Sequence, residues 1–516
     1  MPANVPRALV SRNPLDWLRV FGPGAIIASL TIGTGELIFS TRGGVIFGYP
    51  ILFPFLLICV LKWTLAYSAA RHMVLAGVHP LQRWMDVPLG PRGWLTILFF
   101  LLGAAFIPVW VSFHSSILGE LLAMLTGTRQ YLGGATMHLW GSGVLLGVFA
   151  LAIAGGYAAL EKTQLLIIAA MLVAVIATLI WFGPDWLELL RGFVVPQRLE
   201  YPAWLANSTN QAARTIAARP VWVELSTYVG VIGGAGYDYL AYTSYLRDKQ
   251  WGNAAPPAMD RASQSQFADG TRNGPGSLDD KSLRQWIRAP LIDCTLSFVA
   301  VIVFSAVFVA AGKLVLAPAH QVPSEGKFLE FQAQFVTLLD PRLYWLYIAA
   351  VFLAMLGTLY GTLEVAPTIL RETMLAVGMS RRVFADARQM RNLAIGWCTA
   401  IALVVLAVGF VYQLRAGIDK PPGLLAILMP VNFFTNVLAC GIICLLNPWM
   451  DRRLPVQHRM PLALVALNLA GGIAFILAAL RAYWVYAGWL AMGILLGIFA
   501  IGIVVAWLVN LAGKRG

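Results

Sequence analysis

The sequence predicts an all-α polytopic membrane protein of about twelve transmembrane helices, the first and sixth of them broken. Three observations carry this. Hydrophobic residues make up 59% of the 516-residue chain and charged residues only 12%, with mean hydropathy +0.73, so a soluble domain of this length could not hide its apolar surface. Apolar runs of about 20 residues recur from end to end, each long enough to cross about 30 Å of hydrocarbon. Glycine-rich interruptions with a carboxylate fall inside two of those runs. A membrane β-barrel, the other architecture that satisfies its backbone in lipid, would show short alternating strands instead.

The expected spans are 20–41, 46–70, 94–125, 137–157, 163–183, 220–246, 288–313, 342–366, 391–413, 423–447, 459–480 and 484–511. Arg7, Arg12 and Arg19 precede the first run, and no signal-peptidase-like site follows it, so it reads as a retained helix. With the amino terminus in the cytoplasm, roughly 24 of the 37 basic residues fall on the inner side, which sets both termini there. The +13 net charge thus follows the membrane, and no nucleic-acid partner is expected. The segment 248–281 is one long cytoplasmic loop rich in Pro, Gly, Ser and Asp. Tryptophans such as Trp63, Trp222, Trp345 and Trp484 sit near span ends as an interfacial belt. The five cysteines (Cys59, Cys294, Cys398, Cys440, Cys444) all lie in apolar segments without metal-ligand spacing and read as small buried hydrophobes. The absence of a long polar tail or eukaryotic targeting signal points to a bacterial inner membrane.

The first interruption is TIGTGELI, residues 31–38, and the second is GVIGGAGYDY, residues 230–239. Irregular backbone at membrane depth survives only where it lines a protein cavity, and an ionisable group in midspan is a functional-site hypothesis by default. Breaks at corresponding places in two halves point to an inverted-repeat transporter with its site near the midplane. The candidate site residues are therefore Gly33, Thr34, Glu36, Gly234, Tyr237 and Asp238. Freed carbonyls, two carboxylates and two hydroxyls make an oxygen-rich set suited to Mg, Ca or Mn. Lys62, buried in the second span, either neutralises Glu36 or Asp238, which argues against a divalent cation, or snorkels, or pairs with Glu120. Lys62 of the second span, His114 and Glu120 of the third, Tyr239 of the sixth and Asn432 of the tenth are candidate relay or gating groups. Glu364 is expected to pair with Arg371, and Glu224 and Asp293 to be interfacial.

Three stretches carry a family resemblance. PGAIIASLTIGTGELIFSTRGG (23–44) resembles the first helix of the Nramp divalent-metal transporters, which carry a DPGN motif at the break. GVIGGAGYDYLAYTSYL (230–246) resembles their sixth helix with its MPH motif, and SAARHMVLAGVHPLQ (68–82) resembles the end of the second helix and the loop after it. The resemblance covers most of the chain. It implies a five-plus-five inverted repeat of the LeuT type, with repeats at 20–183 and 220–447 and two further helices at 459–511. The motif residues themselves differ. Gly33, Thr34 and Glu36 stand where the family has Asp, Pro and Asn, with Gly35 kept. Tyr237, Asp238 and Tyr239 replace Met, Pro and His, and Phe113 and Ser116 stand at the helix-three proton positions.

The leading expectation is a secondary transporter that moves a divalent cation as substrate and uses no cofactor. The alternatives are a same-fold carrier of an amino acid, amine or other small organic solute, and a non-transporting sensor or scaffold. No HExxH, GxSxG or paired-aspartate motif supports an intramembrane enzyme. The lipid bilayer is the expected partner, and the sequence carries no signal of oligomeric state.

Overall fold

The computed structural model describes residues 5–155, isolated positions between 166 and 181, and 183–209, 211–254, 279–323, 334–337, 340–378, 387–417 and 424–513. Every regular element among them is helical. Nine helices among the described residues are long and apolar enough to cross a membrane, so this is an integral membrane protein. The count falls below twelve for three reasons. The sixth span is split into halves of 11 and 13 residues, each too short by itself. The stretch Leu462–Gly513 runs 52 residues through a kink at Ala487-Gly488, more than twice what one crossing of about 20 residues needs, and so holds both of the last two expected spans. Most of the expected fifth span, 163–183, and most of the 248–281 loop lie outside the described residues.

Both expected interruptions are present, in different forms. The first span starts as an α-helix at Pro23–Thr31, continues as a π-helix over Ile32–Ser40, and returns to α at Thr41–Phe47. The GTGE stretch therefore widens the helix and does not open it. The sixth span ends its first half at Val231, passes through Ile232–Ala235 in non-helical backbone, and resumes at Gly236–Asp248. Gly233 and Gly234 have φ of 82° and 100°, values that a side chain disfavours and glycine accepts. The tenth span repeats the first form: Leu424–Asn432 is α, Phe433–Leu438 is π, and Ala439–Asp451 is α. The first span is wholly enclosed by the second half of the sixth (Gly236–Asp248), the seventh (Arg288–Ala311) and the eighth (Tyr344–Val377). Gly33 packs directly against the eighth. A methyl group there would collide with the Thr358 hydroxyl.

Buried ion pairs fix both ends of this centre. Glu224 is not interfacial as expected but 3% exposed. It accepts from Arg42 at 2.6 Å and from the Tyr228 hydroxyl at 2.9 Å, joining the far half of the first span to the first half of the sixth. Asp293 is likewise buried. It accepts from the backbone N–H of Gly22 and Gly24 at 3.0 and 2.7 Å and from the Tyr242 hydroxyl at 2.9 Å, because the start of the first helix leaves amide donors that need an acceptor in a water-poor place. Glu364 pairs with Arg391, not with Arg371. Seven residues along one helix separate Glu364 from Arg371 by about 10 Å, whereas the ninth span brings Arg391 alongside. Arg371 binds Asp248 at 2.9 Å, and Glu372 takes Ser244 at 2.8 Å and Arg247 at 3.2 Å.

Removing one partner of a buried pair leaves the other charge uncompensated, which costs about 3–5 kcal/mol. Glu224→Ala is expected to lower the unfolding temperature of the detergent-purified protein sharply, while Glu188→Ala, which loses an exposed pair with Lys313, leaves it within a degree or two. Equal effects would mean that the Arg42–Glu224 pair does not hold the two spans together.

Candidate functional site

The break in the sixth span frees carbonyls that hydrocarbon cannot satisfy. They are met by side chains. The Lys62 ammonium, at 0% exposure, donates to the carbonyls of Ile232 at 2.7 Å and Gly234 at 2.6 Å. The Tyr239 hydroxyl donates to the carbonyl of Gly233, with its ring stacked on Phe298. At the far side, Asp238 Oδ2 accepts from the Ala235 N–H at 2.7 Å, capping the second half-helix. The lysine comes from the middle of the second span, Leu52–Ala76, which packs along the second half of the sixth. It does not snorkel and does not pair with Glu120. Its charge lies among Glu36, Asp238, Cys59 and Cys440.

Glu36 sits in the π-helical stretch of the first span at 0% exposure, beside the backbone of Gly233 and near Lys62. Neither of its carboxylate oxygens makes a hydrogen bond. A carboxylate buried in this way is costly unless a cation or proton meets it.

In front of the break lies a small cleft, partly open to solvent. Leu30 and Thr31 of the first span, Trp110 and His114 of the third, Gly234, Tyr237 and Asp238 of the sixth, and Thr435 and Asn436 of the tenth line it. Its walls are largely apolar and aromatic, with a few convergent polar groups, the usual character of a small-molecule pocket. Trp110 donates through Nε1 to the Thr435 hydroxyl at 3.0 Å and stacks on His114 with ring centres 5.6 Å apart. The His114 Nδ1 has no hydrogen-bond partner. The Tyr237 hydroxyl donates to the Phe99 carbonyl at 2.8 Å, which turns it away from the cleft and leaves its ring as wall. Among the described residues no group of three or more His, Cys, Asp or Glu is placed to hold a metal ion.

The structure thus gathers Gly234, Tyr237, Asp238 and His114 at the cleft and sets Glu36, Lys62 and Tyr239 at the break itself. Gly33 serves helix packing, and the side chain of Thr34 lies outside the described residues. Glu120 is buried on the third span but is not part of the cleft wall. Asn432 packs against Gly230, and its Oδ1 has no hydrogen bond. The cleft takes Thr435 and Asn436 instead, because the π-helical turn after Asn432 rotates that face of the tenth span. Trp110 and Thr31 also went unread in the sequence. Proximity to His114, one turn on from Trp110, was the available signal for the tryptophan.

The enclosed first span, the broken sixth and a cleft between them define a helical membrane protein with interrupted spans around a central cleft. The chain shares its fold with the manganese transporter of Eremococcus coleocola, solved in complex with an aromatic bis-isothiourea substituted compound, at TM-score 0.67 and 16% identity over 97% of this chain and 96% of that one. It also aligns with Mhp1, a nucleobase-cation-symport-1 family transporter solved with bromovinylhydantoin bound, at TM-score 0.48 and 15% identity over 94% and 96% of the two chains. No family model matches the sequence, and no curated protein matches it.

Asp238 both caps a helix and carries charge at the cleft, and Asp238→Asn separates the two, since the amide oxygen still accepts from Ala235. The substituted protein is expected to unfold within a few degrees of wild type. Asp238→Ala, which also removes the cap, is expected to cost about 1 kcal/mol more. Indistinguishable unfolding curves for the two would remove the capping role.

Proposed function

We propose that this chain is a secondary transporter, not an enzyme, and that its cargo is a small organic solute carrying one protonated amine, bound in the cleft between the first, third, sixth, eighth and tenth spans. One observation carries the choice of cargo. The Lys62 ammonium already holds two of the carbonyls that the broken sixth span would offer a metal, and its charge offsets one of the two carboxylates. The amine end would meet Asp238, and the faces of Trp110 and Tyr237 would favour a cation beside them. Binding at half-helix ends near the midplane, with the spans rocking around the cargo, is the physical logic of broken-helix carriers. The quoted motifs and the fold support kinship with the Nramp family, and the N-in orientation and inverted repeats at 20–183 and 220–447 are part of the same proposal.

A second reading keeps a divalent cation as cargo. It is favoured by Glu36, whose two oxygens lack hydrogen bonds at full burial, and by the fold shared with a manganese transporter. In that case Lys62 would leave the break before the metal enters.

Flux into proteoliposomes separates the two. Mn, Mg and Ca are tested beside a panel of amines and amino acids, with wild type next to Asp238→Asn and Glu36→Ala. Saturable uptake of an amine, reduced at least tenfold by Asp238→Asn, is expected. Saturable uptake of a divalent cation, lost in Glu36→Ala and without amine flux, would replace the first reading with the second. No flux of any kind by correctly inserted protein would leave neither.

A further inference from the structure

The set around the Lys62 ammonium is a cation site whose ion is supplied by the chain itself. Its donors are two backbone carbonyls at 2.7 and 2.6 Å, with the Glu36 carboxylate beside them and Asp238 within reach of the charge. Carbonyl and carboxylate oxygens of this kind serve a small hard cation as well as an ammonium. The lysine stem closes the place from the second span. A Cβ on Gly233 would lie 3.2 Å from Lys62 Cδ, so the stem lies hard against the break. Lys62 and Glu36 are both at 0% exposure, while Asp238 is half-buried at the edge of the cleft.

We propose that Lys62 is a tethered substitute for a dissociable monovalent cation at the helix-six break, and that removing its side chain opens a site for such an ion. A free ion that bound here would be ordered on every cycle and could be carried or coupled. An ammonium on a four-carbon stem anchored in the second span can release the carbonyls but cannot leave. The break is thereby stabilised without an inorganic cation in the medium, whatever cargo occupies the cleft.

Thermal unfolding of the detergent-purified protein at constant ionic strength tests this, with choline, sodium and ethylammonium chlorides compared. Choline is too bulky for the space, and ethylammonium supplies the group that Lys62→Ala deletes. Wild type is expected to unfold at one temperature in all three salts. Lys62→Ala is expected to unfold several degrees lower in choline and to be raised again, saturably, by sodium or ethylammonium. Lys62→Ala combined with Glu36→Gln should lose most of that rise, and Lys62→Arg, which keeps a tethered charge, should show none. Lys62→Met, which keeps the stem's volume without its charge, guards against a fold lost through a cavity. Recovery of either variant only in sodium or ethylammonium also supports the inference. It is overturned if no variant distinguishes the salts, if wild type responds as Lys62→Ala does, or if neither Lys62→Ala nor Lys62→Met is recovered in any of the three.

Discussion

The Lys62 ammonium on the carbonyls of Ile232 and Gly234 is the contact around which the centre of the protein is arranged. A helix interrupted inside a bilayer exposes backbone groups worth several kcal/mol each when unmet. The sixth span has such an interruption at Ile232–Ala235, so partners have to arrive from elsewhere in the chain. Lys62 comes from the second span, Tyr239 folds back from the second half-helix, and Asp238 caps its start. The reverse dependence also holds. A lysine at the middle of an apolar helix is expensive and is kept there by the carbonyls that the break supplies.

Two further departures from α geometry fit the same centre. The π-helical stretches Ile32–Ser40 and Phe433–Leu438 each insert a residue into the turn, which shifts the face that follows and loosens the bonding ladder. Such stretches are often found at functional sites. In the first span the shift sets Glu36 beside Gly233. In the tenth it carries Thr435 and Asn436 to the cleft, where Thr435 receives the Trp110 indole N–H. Ion pairs such as Arg42–Glu224 and Glu372–Arg247 hold the ends of this region.

Much of this was legible before the structure. Long apolar runs fix the helices, because hydrocarbon leaves the backbone no other continuous solution. Three glycines before Tyr237 mark the sixth break, because only glycine accepts the φ that Gly233 and Gly234 adopt. Glu36 and Asp238 stood out as carboxylates where carboxylates are costly. Partnerships across the chain were not legible. Lys62 could equally have reached an interface or Glu120, and the choice depends on which face the second span turns to the sixth. Glu364 and Arg391 meet through a helix packing that no local spacing encodes. Asn432 was the natural choice in the tenth span, and the π-helical turn just after it moved the working face along to Thr435 and Asn436, a register change that the apolar pattern of FFTNVL does not announce.

Charge then constrains what the centre can hold. With Glu36, Asp238 and Lys62 all ionised, the buried cluster carries one net negative charge, and buried charges persist only when compensated. A cargo with a single positive charge closes that balance without displacing anything. A divalent cation overshoots by one, so the lysine would have to withdraw, giving up two short hydrogen bonds and exposing the Ile232 and Gly234 carbonyls to the metal. That exchange is favourable only if the ion gains as oxygen ligands what the ammonium loses, and an ion at this break would draw on the same two carbonyls and the same Glu36. On the proposed transporter reading, cargo selection would turn on a residue of the second span that does not line the cleft. On that reading Lys62 would decide whether the broken helix presents oxygen ligands to a metal or only a neutralised edge behind an aromatic pocket.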